Sequence, residues 1–186
     1  MNLSANFKNC KTKERTEMNN SFTLTKIDDV KIVLKNYKDK IRKMTDIILS
    51  LDELKSSKIY KNDIRRVRFD ISFCKDETLH QINKEYRQKD CPTDVITFSL
   101  YCDDEYAIAY RKTADLGQII VSVETAQKQA KGSLEEEILT LICHGILHLL
   151  GFDHLTKKDY DFVVGIQNKV IEELWKNFNQ EVFKEV

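Results

Sequence analysis

The chain has 186 residues, of which 30 are basic, 30 are acidic and 41% are hydrophobic. This length and composition suit a single globular domain and exclude collagen-like, mucin-like and repeat-array proteins. Because the formal net charge is zero, the composition argues against a strongly basic nucleic-acid binder, and contact with a polyanion has to come from a local patch.

The N-terminal segment, the apolar runs and the cysteines together predict a cytoplasmic protein. Residues 1–20 are polar and lack the apolar core of a signal peptide, so we expect a flexible tail, with Met18 as an alternative translation start, ahead of a domain at residues 21–186. The longest nearly apolar run, residues 138–152, contains two histidines and is shorter than the roughly 20 residues that span a membrane. The five cysteines are scattered without a C-x-x-C pair, which predicts reduced thiols.

Helices and strands alternate in the first half of the chain. Apolar residues recur every three or four positions over residues 41–54, which is typical of an amphipathic helix. Strict alternation of apolar and polar residues over residues 67–73 predicts a half-buried strand. Asp76 is expected to cap a helix that runs to about Arg87, and residues 95–98 predict the next strand.

In the second half of the chain, the first candidate element has a weak sequence pattern and the later elements have clear ones. Residues 106–110 are a candidate short edge strand, and the β-branched run at residues 118–123 predicts a strand buried on both faces. Residues 124–131 are expected to be helical up to Gly132. Ser133 and Glu136 form a capping box that predicts the start of a helix, which should run to about Leu150 and be terminated by Gly151 in a left-handed conformation.

A last helix is expected to begin at Thr156 and Asp159. One stripe of this helix is apolar and comprises Phe162, Ile166, Val170, Leu174 and Phe178. Strands interleaved with helices predict an α/β fold with a single domain and a small mixed sheet packed with helices. The helix that starts at Ser133 is apolar nearly all round, so we expect it to be central and buried.

Three histidines in and after this central helix predict a metal site. His144 and His148 lie four positions apart, so both imidazoles project from one helix face, and the turn at Gly151 can bring His154 towards them. Three neutral imidazoles with a fourth position open to water are the arrangement of a catalytic zinc site, with one ion per chain, although nickel and cobalt accept the same ligands. Unconnected core or surface histidines are the alternative. Since three of the four histidines fall within eleven residues, we favour metal binding and leave His80 at the surface.

The residues around these histidines argue against an ordinary metallopeptidase. The H-E-x-x-H pattern has a glutamate after the first ligand as general base, whereas this chain has Gly145 there. Asp153, next to His154, is expected to orient the second ring nitrogen of a ligand, with a capping role in the turn as the alternative. Cys143 points about 100° away from His144 around the helix and is expected to lie in the core.

Two segments resemble the bacterial YbeY endoribonucleases, also called rRNA maturation factors. Residues 144–154, HGILHLLGFDH, match the family signature H-G-x-L-H-L-x-G-x-D-H without a mismatch. Residues 83–95, NKEYRQKDCPTDV, are similar to the family block N-x-x-Y-R-x-x-D-x-P-T-D-V. The resemblance runs from about Val67 to the C terminus. It departs at residues 96–100, ITFSL, where the family reads L-S-F-P, and at Gln118, where the family reads L-G-D and has a carboxylate.

The resemblance implies a zinc-dependent, single-strand-specific endoribonuclease whose zinc is held by His144, His148 and His154. It also implies a role in 3′-end maturation of small-subunit rRNA and in ribosome quality control. The implied partners are rRNA or other single-stranded RNA and the ribosome or small-subunit proteins, without membrane or DNA. The alternatives are a zinc hydrolase of peptide or amide substrates, which the missing glutamate disfavours, and a non-catalytic zinc-binding ribosome-assembly factor.

Arg87 is the candidate catalytic residue outside the metal site. Its guanidinium can pair with a phosphate and stabilise charge on the scissile group, and the alternative is an ion pair with Asp90 or Asp94. Further basic residues are candidates for a track along an RNA backbone, with a solvated surface as the alternative. Together with Arg87, the members of this track are Lys84, Lys89, Arg65, Arg66 and Arg68.

Overall fold

The strands of the protein are β1 (Asn19–Lys26), β2 (Arg66–Cys74), β3 (Val95–Ser99) and β4 (Thr113–Ser122). The helices are α1 (Tyr37–Ser50), α2 (Lys58–Lys61), α3 (Asp76–Arg87), α4 (Val123–Gln129), α5 (Leu134–Leu149) and α6 (Lys157–Val182), with a short 3₁₀ helix at Asp52–Ser56. These bounds come from a computed structural model that describes residues 18–32, 36–101, 112–154 and 156–182. No helix within these ranges has the length and the apolar character of a membrane span.

The four strands form one mixed sheet in the order β1-β2-β4-β3. β1, β2 and β4 are parallel, and β3 pairs antiparallel with β4. β2 and β4 are therefore the central strands, which explains why both are rich in apolar residues. The predicted α/β class with a small mixed sheet is confirmed.

Helices cover the two faces of this sheet unequally. Helices α1, α5 and α6 contribute to the main core on one face, where Phe69 and Ile71 of β2 and Ile119 of β4 are buried. On the other face, Leu79 of α3 packs in a smaller cluster with Ile96 of β3 and with residues of β2 and β4. β4 is thus covered on both faces, as its apolar run predicts. The two clusters leave part of the second face to polar side chains.

Two element boundaries and one buried position differ from the sequence-based expectation. The first helix ends at Ser50, because Leu51 has an extended backbone, and a 3₁₀ helix follows. Strand β4 begins at Thr113, five residues before the expected start, because it continues the parallel pairing with β2. In α6 the side chain of Phe162 is 48% exposed, and Val163 takes the buried position instead.

Strand β1 was not predicted, and it begins inside the expected N-terminal tail. Asn19 pairs with Arg66 and Phe22 pairs with Phe69, so the strand depends on a partner far away in the chain. Residues 1–17, the rest of the expected tail, lie outside the described residues, as do residues 106–110 of the candidate edge strand and the cysteines Cys10 and Cys102.

Asp76 does not cap α3, contrary to the expectation. The helix has Lys75 at its N-cap, and the Asp76 carboxylate instead accepts hydrogen bonds from Thr125 at 2.6 Å, from Lys128 at 2.5 Å and from the Ser122 hydroxyl. Burial raises the pKa of Asp76, but these donors outweigh it and hold the pKa at about 2. The carboxylate therefore ties the start of α3 to β4 and α4.

This anchor predicts a pH-dependent stability. Because the pKa of Asp76 is lower in the folded chain than its ordinary value of 3.8, its contribution is present above about pH 4 and is lost as the pH falls towards 2. We expect Asp76→Asn to lower the free energy of unfolding by about 1–2 kcal/mol at pH 7, with a deficit that narrows below about pH 4. Urea unfolding at several pH values measures this, with the exposed Asp29→Asn as the control. A deficit that is equal at pH 7 and pH 3 would contradict the assignment.

Candidate metal centre

Helix α5 is held at both ends by the residues that the sequence predicts. The Ser133 hydroxyl accepts a hydrogen bond from the backbone N–H of Glu136 at 3.1 Å. Gly151 follows the helix with a φ of +87°, the left-handed conformation that ends a helix and redirects the chain. In the next residues, Asp153 Oδ1 accepts from the backbone N–H of His154 at 2.7 Å. These contacts fix the turn that carries His154 back over α5.

The imidazoles of His144, His148 and His154 converge. One ring nitrogen of each lies within 4.8 Å of the others, and Nε2 of His144 is 3.0 Å from Nε2 of His148. Nitrogen ligands that sit 2.0–2.1 Å from a tetrahedral zinc ion are about 3.3 Å apart. The His144–His148 pair is close to this spacing, and the three histidines together can hold a metal ion.

The surroundings favour the neutral form of two of these imidazoles, those of His144 and His148. Burial is the main cause that lowers the pKa of His144 and His148, and the neighbouring imidazoles lower it further. The pKa of His148 falls to about 4 against the opposing effect of Asp153. At neutral pH both rings therefore offer a lone pair, which is the form that binds a metal ion.

Gln167 on α6 is the residue of the site that sequence reasoning missed. Its Oε1 lies 3.1 Å from Nδ1 of His144, so this nitrogen donates to the amide oxygen and Nε2 is left to face the triad. Asp153, which was expected in such a role, has Oδ1 3.9 Å from Nδ1 of His148, beyond hydrogen-bond distance, so its direct contact is the turn. Only the packing of α6 against α5 brings Gln167 to the site, and the sequence carries no signal for it.

Gly145 explains why the general base of metallopeptidases is absent from α5. A Cβ atom at this position would lie 2.8–3.0 Å from the Cγ2, Cδ1 and Cγ1 atoms of Ile119, which is fully buried in β4. Position 145 thus faces the sheet, away from His144, and has no room for a side chain. A glutamate here is excluded by packing.

Arg87 ends α3, and its charge reaches the triad. After burial and the neighbouring imidazoles, it is one of the groups that lower the pKa of His148. In the described ranges Arg87 has no ion pair, and Asp90, one alternative partner, pairs instead with Lys84 at 2.7 Å and His80 at 2.8 Å. The guanidinium is therefore free to meet a ligand.

Comparisons with known proteins extend the sequence resemblance. The sequence model of the family described as Endoribonuclease YbeY matches residues 21–175. The chain belongs to the YbeY endoribonuclease family. Members of this family are named endoribonucleases, which are hydrolases.

Individual YbeY relatives agree with this assignment. An Endoribonuclease YbeY from Prochlorococcus marinus is 41% identical over 105 residues, which cover 55% of this chain and 56% of the relative. Another, from Aquifex aeolicus, is 38% identical over 133 residues, covering 70% of this chain and 81% of the relative. The solution structure of a Thermotoga maritima protein shares the fold with a TM-score of 0.50 and 22% identity, and the match covers 87% of this chain and 93% of that one.

The second YbeY block, at residues 83–95, shapes the loop between α3 and β3. Asn83 is buried and donates to the backbone carbonyl of Cys91 at 2.8 Å. Asp94 accepts from the backbone N–H of Val95 at 2.8 Å and from Gln129 at 3.0 Å. These contacts occupy the second alternative partner of Arg87 and fix the loop that leads from this residue to β3.

Gln118, the departure from the L-G-D pattern of the YbeY family, lies away from the triad. Its amide donates to the Ser72 hydroxyl at 2.9 Å, and the next residue, Ile119, packs against Gly145 of α5. Since successive residues of a strand point to opposite faces, Gln118 lies on the face of the sheet that α5 does not cover. The missing carboxylate therefore leaves the metal centre unchanged.

Three of the six residues of the expected basic track, Lys84, Arg65 and Arg68, pair with acids. Arg68 makes a bidentate pair with Asp115, with both distances at 2.6 Å, and Arg65 contacts Asp63 at 2.9 Å. Arg66 and Lys89 are exposed. A paired side chain presents less net charge to a phosphate, so a continuous basic track stays a prediction. Arg87 is the member of the track whose charge acts on His148 of the triad.

The packing at Gly145 predicts opposite effects for two glycine substitutions. Gly145→Ala adds a methyl group against Ile119, and overpacking of this kind typically costs about 1–3 kcal/mol. Gly165→Ala, inside α6, meets no atom within 4 Å and should raise the free energy of unfolding by about 0.5–1 kcal/mol, because alanine favours the helix. Urea unfolding of both variants measures the difference. Stabilisation by Gly145→Ala equal to that by Gly165→Ala would contradict the close approach.

Proposed function

We propose that the chain is a zinc-dependent, single-strand-specific endoribonuclease that acts in 3′-end maturation of small-subunit rRNA and in ribosome quality control. The observation that carries the proposal is the convergence of His144, His148 and His154 in a member of the YbeY endoribonuclease family. The proposed partners are rRNA or other single-stranded RNA and the ribosome or small-subunit proteins. The proposed location is the cytoplasm.

Zinc fits the donor set. His144, His148 and His154 would hold the ion through neutral imidazoles, which suit zinc, and no thiolate or carboxylate of the described residues belongs to the cluster. When bound at a three-histidine site, zinc polarises an oxygen ligand and makes hydroxide available near neutral pH. The hydrogen bond from His144 to Gln167 orients one ring before any ion arrives, which reduces the reorganisation that binding requires.

Arg87 is proposed to bind the scissile phosphate. A guanidinium can donate two parallel hydrogen bonds to phosphate oxygens and stabilise the charge that develops on them during cleavage. Its charge already reaches His148, and Asp90 and Asp94 are occupied by other donors. The nucleophile is water or the neighbouring 2′-hydroxyl of the RNA. A 2′,3′-cyclic phosphate among the products would exclude direct attack by water as the only route.

The other two functions have less support. A peptide or amide hydrolase of the H-E-x-x-H kind needs a base on the helix, and Gly145 packs against Ile119 where that side chain would be. A purely structural zinc site closes the fourth position with a protein ligand. The cluster of the described residues offers three ligands, and an unpaired arginine lies within electrostatic reach of them. Both features favour catalysis on a phosphate ester.

Zinc binding by the three histidines predicts a complete loss of zinc in one variant and a partial loss of zinc affinity in another. His148→Ala removes a ligand, so we expect it to lose stoichiometric zinc and RNase activity together. Gln167→Ala keeps all three ligands but frees the His144 ring, so its zinc affinity should fall about 10- to 100-fold. Elemental analysis and competition with a zinc-binding dye measure both. Asn168→Ala, at the exposed neighbouring position, is the matched control and should bind zinc like the wild type.

If the metal-free protein cuts single-stranded RNA as fast as the zinc-loaded protein, the role given to zinc is wrong.

The proposed phosphate contact predicts that Arg87→Ala keeps the fold and the zinc but loses cleavage. Removing one donor to a developing negative charge typically costs about 100- to 1000-fold in kcat. Cleavage of a defined fragment from the 3′ end of small-subunit rRNA, followed by gel electrophoresis, measures the loss. Lys61→Ala removes an exposed positive charge from α2, outside the expected basic track, and serves as the control, with a much smaller effect. Normal cleavage by Arg87→Ala would refute the assignment.

A further inference from the structure

Two large aromatic side chains at the start of α6 are exposed. Tyr160 is 50% exposed and Phe162 is 48% exposed. The Tyr160 ring contacts the third histidine of the triad, with its centroid 5.5 Å from that of His154 and the planes at 81°. The Phe162 ring lies 6.2 Å from Phe152 instead. One of the two exposed rings is therefore part of the border of the metal centre.

Tyr160 is held at this border by the start of α6. The backbone N–H of Asp159 donates to the Thr156 hydroxyl at 3.2 Å, and the backbone N–H of Thr156 donates to Asp159 Oδ2 at 3.1 Å. This reciprocal cap fixes the first turn of the helix, in which Tyr160 lies. The core of α6 is built by other residues, such as Val163 and Ile166.

The Tyr160 side chain contributes little that the fold needs. Half of its surface is exposed, and among the described residues its hydroxyl has no hydrogen-bond partner. An exposed aromatic ring adds less to the free energy of folding than a buried ring, because less of its apolar surface is removed from water. A ring that stays exposed beside a metal centre is instead suited to contact a ligand of that centre.

The chemistry of its ring selects the part of the ligand that Tyr160 can contact. The phenol ring of Tyr160 is uncharged and presents flat apolar faces, so it fits a flat neutral group rather than an anionic phosphate. Arg87, on α3, supplies the positive charge near His148. A single RNA strand offers both partners, because phosphates alternate with flat neutral bases, and bases stack on aromatic side chains in single-strand binding proteins.

We propose that Tyr160 is a stacking platform for one base of the single-stranded RNA substrate, next to the phosphate that Arg87 and the triad bind. The inference rests on the proposed endoribonuclease function. A base within a duplex is stacked on both faces and is not available to the platform, so Tyr160 contributes to the selection of single strands. It acts by positioning the strand, and the cleavage chemistry belongs to the other residues.

Binding of an uncut RNA analogue tests this role apart from catalysis. The probe is a short single-stranded 2′-O-methyl RNA with a fluorescent label, measured by anisotropy with the zinc-loaded protein. Tyr160→Ala should raise the Kd about 5- to 150-fold, which is the range that stacking on one aromatic ring spans. Tyr160→Phe keeps the ring and should stay within about threefold of the wild type. Phe162→Ala, the matched control on the same helix, should leave the Kd unchanged.

A second probe locates the base. In a series of these oligonucleotides, each lacks the base at one position. The wild type should bind one member of the series more weakly than the others, because that member lacks the base that stacks on Tyr160. Tyr160→Ala should bind this member as tightly as the others. With cleavable single-stranded RNA, Tyr160→Ala should raise KM more than it lowers kcat. The wild-type arm of the abasic series tests the platform even if Tyr160→Ala fails to fold.

The outcomes separate the platform from the proposed function. If the wild type binds and cuts single-stranded RNA while Tyr160→Ala binds it equally well, the platform is wrong and the endoribonuclease proposal stands. Tight RNA binding with no sensitive abasic register also overturns the platform. If the wild type neither binds nor cuts single-stranded RNA, both proposals fail.

Discussion

The close approach of α5 to β4 is the packing contact on which the metal centre depends. Gly145 lies against the fully buried side chain of Ile119, and this contact sets the depth at which α5 sits on the sheet. His144 is the residue before Gly145, so it turns away from the sheet when Gly145 faces it. The helix is buried along most of its length, which restricts both its rotation and its translation. Two of the three imidazoles are thus placed by apolar packing.

Burial also gives these imidazoles their chemistry. Desolvation lowers the pKa of His144 and His148, so both rings are neutral at physiological pH. Converging imidazole nitrogens in a partly buried site are costly to leave without a partner, and a divalent cation is a partner that meets all of them at once. The third ring is supplied by the turn at Gly151, which the Asp153 carboxylate stabilises. The site is therefore assembled from one helix and its terminus.

The residues that we propose to contact RNA come from elements further away in the chain. Arg87 stands at the end of α3, Tyr160 belongs to α6, and the loop between α3 and β3 is held by Asn83 and Asp94. α3 lies on one face of the sheet and α6 packs with α5 on the other. A strand of RNA that crosses the triad could thus meet a cation from one side and an aromatic ring from the other. Such a division suits a polymer whose phosphates and bases face different directions.

Local patterns determined the parts of this protein that depend on neighbours in the sequence. The periods of two and of 3.6 residues predict β2, α3 and α5, the capping residues predict where α5 and α6 begin, and the four-residue spacing predicts that His144 and His148 share a face. Tertiary structure alone decided the rest. β1 exists because its backbone pairs with β2 from residues more than 40 positions away, Asp76 serves as an anchor because α4 folds back onto α3, and Gln167 meets His144 through the packing of α6 on α5. These contacts join residues distant in the chain, and no periodicity encodes the distance at which two elements meet.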